Sequence, residues 1–202
     1  MKPRLIVEQK ITAFANKYSV YAANSDGSKG AMVAFAQQKR LAFKEKVTFY
    51  TDQTKQNTIF TFRAEKVLDV HGSYFVEDAN GALIGQFKKK FKQSLVRSTW
   101  QIVDQKDNSA LTVTESNETL AILRRFAGNI PILGGIAELV MLFFKYHFSF
   151  IDDATNQEVG KYEKTTLFRD HYCLHMTDEG YASQDWRVLA AVAVALDALQ
   201  SR

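Results

Sequence analysis

Apolar and polar residues alternate along most of this chain in short runs, each broken by a cluster of turn-forming residues. Alternation with period two places every second side chain on one face, which is the pattern of half-buried β-strands. The runs predict strands near 4–11, 17–23, 31–37, 46–51, 58–63, 73–77, 83–91, 98–103, 109–114, 145–151, 158–164 and 172–177. Short strands at such close spacing predict an all-β barrel or sandwich.

The pattern also repeats. Residues 75–89, FVEDANGALIGQFKK, lie without a gap on residues 150–164, FIDDATNQEVGKYEK, matching Phe75 with Phe150, Gly85 with Gly160 and Lys89 with Lys164. Each copy has the anatomy of a hairpin, and Asn80-Gly81 is a turn signal because both residues tolerate positive φ. A second repeat matches residues 9–21, QKITAFANKYSVY, to residues 38–50, QKRLAFKEKVTFY. Similar hairpins closing one curved sheet account for both repeats.

Two stretches break the rhythm. Residues 116–144 read as two short helices divided by Gly128-Asn129-Ile130-Pro131, with Ser116 or Asn117 as the first cap. The segment is expected to pack on the barrel as a helical insertion; lipid contact and a homodimer through 130–144 are the alternatives. At the C-terminus, Asp185 is a natural N-cap for a helix over 185–200, and every residue from Val188 to Leu196 is apolar. A helix apolar all round must be surrounded by apolar material. It is shorter than the roughly twenty residues that cross a bilayer, so it is expected to form the core, with no transmembrane span.

Composition changes this picture little. The 202 residues are 46% apolar and 24% charged, ordinary values for a chain that buries a sizeable core. The lone Cys173 has no partner for an internal disulfide, and the apolar stretch after Lys2 and Arg4 is too short for an export signal, so an intracellular protein of one domain, 1–202, is expected. Net charge is +4, which admits anionic partners without demanding them and is modest for a dedicated nucleic-acid binder.

Residues 37–52, QQKRLAFKEKVTFYTD, residues 70–104, VHGSYFVEDANGALIGQFKKKFKQSLVRSTWQIVD, and the final helix DWRVLAAVAVALDAL together resemble the tubby-like C-terminal superfamily. The likeness is to the branch of phospholipid scramblases and LURP-one-related proteins. It implies a closed antiparallel barrel of about twelve strands around a hydrophobic C-terminal helix, a mainly β fold with minor α. Tubby-type domains are thought to bind phosphoinositides through basic exterior residues. The sequence shows no match to the acidic calcium segment or membrane span of animal scramblases, and the 116–144 insertion departs from the simpler bacterial members.

Among candidate sites, the densest charge run is Lys88-Lys89-Lys90 with Lys92 and Arg97. Alternation would project Lys88, Lys90 and Lys92 together, a row of ammonium groups suited to phosphate head groups, with Arg124 and Arg125 as further basic contributors. Lys89 would then point inward between phenylalanines, a conflict that a bulge after Gly85 or a bend at the rim would relieve. His171, Cys173 and His175 share a strand face at zinc-ligand spacing but lack an evident fourth ligand, so no metal is expected. The acidic residues of the 152–158 loop read as turn chemistry rather than a calcium site, because the first copy lacks one of the oxygens. No nucleophile elbow, phosphate-binding glycine loop or zinc-protease helix is present, and neither catalytic residues nor a cofactor are expected. These features point to a non-enzymatic, lipid-responsive or scaffold module on anionic membrane, cytoplasmic and peripheral at the inner face. A carrier or enzyme with its ligand between 116–144 and the barrel mouth is the alternative.

Overall fold

The structure is a computed structural model and describes residues 1–39, 46–65, 72–90, 98–103, 109–116, 147–166 and 170–200. Its strands are β1 (Lys2–Ile11), β2 (Ala15–Ala23), β3 (Lys29–Lys39), β4 (Lys46–Tyr50), β5 (Thr58–Ala64) and β6 (Ser73–Asp78). They continue with β7 (Leu83–Lys89), β8 (Thr99–Val103), β9 (Ser109–Glu115), β10 (His147–Asp152), β11 (Glu158–Lys164) and β12 (Asp170–Met176), followed by helices α1 (Asp178–Ala182) and α2 (Trp186–Gln200). Every strand the alternation predicts is present. The helical reading of 116–144 falls outside the described residues, apart from Ser116.

Each strand pairs antiparallel with its neighbours in sequence, and β1 closes the circle against β12, with Leu5 opposite Leu174 and Val7 opposite Tyr172. A barrel of eight strands is filled by its own side chains, and diameter grows with strand number, so twelve leave room for one helix about 10 Å across. That helix is α2. From Val188 to Leu196 no residue is more than 2% exposed, and the inward faces of the strands supply the surroundings, among them Val20, Phe49, Phe60, Phe62, Phe87 and Phe150. Small side chains make the fit workable: a Cβ on Gly85 of β7 would lie 2.6 Å from Val188 Cγ2, so only glycine lets the helix pass that close.

Asp185 caps α2 as the sequence suggests, its Oδ1 accepting from Arg187 N at 2.8 Å while its other oxygen binds the Arg187 guanidinium at 2.7 Å. Trp186 packs edge-on against Phe60 at 5.9 Å and marks the end where the helix enters.

The repeated phrase is folded less symmetrically than its spelling. In the second strands the match holds: Gly85 and Gly160 face inward and so do Phe87 and Tyr162. In the first strands the gapless alignment is out by one. Val76 pairs with Gly85, whereas Phe150 pairs with Gly160, so Phe150 is the counterpart of Val76 and Phe75 lies on the outer face beside Arg63. The cause is the loop. Asp78 N donates to Ala82 O in the first copy, but Asp152 N reaches one residue further, to Gln157 O, across a turn that holds Asn156 at φ 54°. Of Asn80 and Gly81, only Gly81 takes positive φ, at 84°, so the first turn is of the three-residue kind with a glycine bulge.

Both turn aspartates do local work. Asp78 Oδ1 accepts from Asn80 N and Ala82 N, and Asp152 Oδ1 accepts from Ala154 N, Thr155 N and the Thr155 hydroxyl. Those amides hold the Asp152 carboxyl below its usual range.

Lys89 needs no bulge. β7 keeps a regular register with β8 from Gln86 to Lys89, the side chain turns inward as alternation dictates, and its ammonium lies 5.4 Å from the centre of the Trp100 ring. Lys164 of the second copy does the equivalent at 5.9 Å from Tyr172, and also binds Asp170 at 2.5 Å. The shared lysine is thus a structural plug at the end of each second strand.

Candidate functional site at the far end of the barrel

The end of the barrel away from Trp186 gathers the β1–β2 hairpin, the last residues of β7 and β11, and the final turns of α2. Lys88 reaches this end on the outer face of β7, and Lys90 follows directly after the strand. Lys88 stands between Ser73 and Gln101 in register, and Lys90 continues the ladder by donating its N–H to Thr99 O at 2.9 Å. Alternation carried one residue past the strand would put both side chains on one side. Lys92, Arg97, Arg124 and Arg125 lie outside the described residues, as does the proposed dimer segment 130–144.

Inside the same end is a polar cluster that sequence reasoning missed. Asp197, the one acid on the barrel-filling face of α2, accepts hydrogen bonds from the hydroxyls of Tyr18 at 3.0 Å and Tyr172 at 2.9 Å. Tyr18 in turn accepts from Gln9 Nε2 at 3.1 Å. Burial pushes the Asp197 carboxyl above its ordinary range, outweighing the two hydroxyls that favour its charged form. Burial, with the neighbouring Asp197 charge second, raises the Tyr18 phenol as well.

Around this group the buried atoms Gln38 Oε1 and Nε2, Asn16 Oδ1 and Tyr162 Oη find no hydrogen-bond partner among the described residues. Tyr162 stacks on Tyr172 with ring centres 5.2 Å apart, and its hydroxyl is held well above the usual range by burial. The available signal was Asp197 itself, a carboxylate directly after an unbroken apolar run.

Among the described residues, this cluster sets hydroxyl and amide groups around the Asp197 carboxylate. Cys173 is on the outer face of β12, 7% exposed, and burial pushes its thiol up to about 11, leaving it protonated at neutral pH. His171, Cys173 and His175 do share that face, with Cys173 Sγ 3.6 Å from His175 Nε2. No group of three histidine, cysteine or acidic side chains has metal-holding geometry among the described residues. Among the same residues, no helix is long and apolar enough to cross a membrane.

A closed antiparallel barrel of twelve strands threaded by its own apolar helix is the architecture of a tubby-like domain. The family model described as LURP-one-related matches residues 32–197, most of the chain, and the protein therefore belongs to the LURP-one-related family. Among curated proteins, none matches closely enough to mark a relative.

Proposed function

We propose that the chain, acting as one unit over 1–202, is a non-enzymatic lipid-responsive or scaffold module. It docks on anionic membrane or phosphorylated head groups at the cytoplasmic face through Lys88, Lys90, Lys92, Arg97, Arg124 and Arg125. What supports this reading is Lys88 on the outer face of β7, with Lys90 directly after that strand, at one end of a barrel whose interior is occupied by α2. A filled interior directs binding to the outside. Each lysine near an anionic surface contributes about 1 kcal/mol, so a handful gives weak, reversible and salt-sensitive attachment.

Co-sedimentation with liposomes tests it. Binding should require anionic lipid, weaken with added salt, and drop sharply in the Lys88→Gln/Lys90→Gln/Lys92→Gln variant. Equal binding to neutral and anionic liposomes would refute the electrostatic reading.

The unpartnered atoms of Gln38, Asn16 and Tyr162 favour a second reading, a carrier or enzyme that takes a small polar ligand at this mouth. A ligand there would raise the melting temperature of the wild type and not of the Tyr162→Phe variant.

A further inference from the structure

The tip of the β1–β2 hairpin presents two large apolar residues to solvent. Phe14, at the apex, is 87% exposed and Ile11 is 54% exposed, two of the four large hydrophobic side chains so exposed among the described residues. The turn is held firmly. Thr12 N donates to Ala15 O at 2.9 Å, the Thr12 hydroxyl donates to the same oxygen at 2.7 Å, and it accepts from Ala15 N at 3.1 Å.

Nothing in the turn asks for phenylalanine. Apex positions of tight hairpins select glycine, asparagine or aspartate for their conformational freedom, and neither Ala13 nor Phe14 takes positive φ. The side chain therefore serves no role in closing the hairpin and projects as a wedge.

Directly behind the wedge, Lys10 and Lys17 are opposite each other across the two strands, both outward. Like charges in that position repel. Neither forms an ion pair among the described residues, since the nearest acid on the outer face of β1, Glu8, is bound to Lys29 at 2.7 Å. An apolar tip with a basic collar matches the layering of an anionic bilayer, head-group charge outside and acyl chains beneath. A projecting point suits a fluid surface that parts around it better than a protein partner, which would have to supply a fitted groove. The hairpin also sits at the same end of the barrel as Lys90, across its mouth, and it precedes the stretch matched by the family model.

We infer that the hairpin tip, Ile11 and Phe14 collared by Lys10 and Lys17, inserts into the interface of an anionic lipid bilayer and fixes which end of the barrel faces the membrane. This rests on the lipid-surface reading above, and the following test separates the two.

Vesicles of phosphatidylcholine with phosphatidylserine are titrated with wild type, Phe14→Ser and Phe14→Trp, the last also with bromine-labelled lipid. Phe14→Ser should weaken vesicle binding about tenfold, by the same factor at low and high salt, because the lost contribution is apolar burial rather than charge. Phe14→Trp should be quenched by brominated lipid, whereas wild type, whose Trp100 is buried and whose Trp186 is at the opposite end of the barrel, should not. Wild-type binding with an unaffected Phe14→Ser and an unquenched Phe14→Trp overturns the inference and leaves the lipid reading standing. Absence of wild-type binding overturns both. Self-association that Phe14→Ser abolishes, without vesicle uptake, would assign the tip to a second copy and overturn the inference too.

Discussion

Replacing Gly85 with alanine adds one methyl group at a point where α2 passes close against the barrel wall. The new carbon would lie 2.6 Å from Val188 Cγ2 and 3.5 Å from Cγ1, against an ordinary contact of 3.4–4 Å. Val188 is buried at 2% exposure and helix-bound, so its side chain has few ways to retreat and the helix itself must move. Overpacking of this kind costs about 1–3 kcal/mol, of which roughly 0.4–1 is offset by the stiffer unfolded chain. For a domain of this size each kcal/mol lowers the melting temperature by about 2–4 °C.

Val188→Ala alone removes two buried methyls and costs about 2 kcal/mol. The double variant should then be more stable than the sum of the single changes implies, by about 1–2 kcal/mol, because the clash and the cavity fill each other. Urea unfolding followed by far-ultraviolet circular dichroism supplies the three differences. Gly160→Ala is an internal control: its methyl would meet Met176 Cγ at 2.9 Å and the His175 carbonyl oxygen at 3.0 Å, with Val188 not among its near neighbours, and its cost should not respond to Val188→Ala. If the Gly85→Ala and Val188→Ala costs add within about 0.5 kcal/mol, the close passage is not what selects glycine at 85.

The remaining predictions concern the helix and its polar end. Because burial raises the Asp197 carboxyl above its unfolded value of 3.8, the folded state binds the proton more readily; the associated stability is full below about pH 3.8 and lost as pH rises through the higher folded value. Asp197→Asn should remove that part of the slope and be at least as stable as wild type at pH 7, judged by denaturant midpoints across pH; an unchanged slope would count against the assignment. Val192→Asp or Leu196→Asp places an unpaired carboxylate among residues that are at most 2% exposed, at a cost of several kcal/mol, and should abolish the cooperative melting transition. A normal melting profile for either would mean that the helix is not the core.

How far the fold was legible depends on whether its determinants are local. Alternation reported each strand because the inward residues Tyr18 and Val20, Phe60 and Phe62, or Leu111 and Val113 are neighbours in sequence. The unbroken run from Val188 to Leu196 reported a helix with apolar material on all sides, because the residues that enclose it need not be known to infer enclosure. Closure by β1 and β12 joins opposite ends of the sequence, and no short pattern encodes it; the family resemblance supplied it.

The inverted parity of Phe75 and Phe150 was hidden for a similar reason. Both are phenylalanines before acidic turns, and one extra loop residue in the second copy sends the first ring outward and the second inward. The Asp197 cluster was hidden because its members, Gln9, Tyr18, Tyr172 and Asp197, come from four elements and look like ordinary amphipathic residues in each. Of the basic row, the outward side of Lys88 was legible because it is a property of one strand.

The seam between β1 and β12 has a bearing on biosynthesis. Of the twelve strands, the one that leaves the ribosome earliest pairs with the one that leaves latest, and the filling of the cylinder is made after both. Until residues 186–200 emerge, the inward aromatic side chains of the twelve strands lack the helix they pack around. A nascent chain must therefore carry an unfinished, sticky interior until α2 is made, so a premature stop shortly before that helix should yield a product recognised by chaperones and proteases rather than a smaller working barrel.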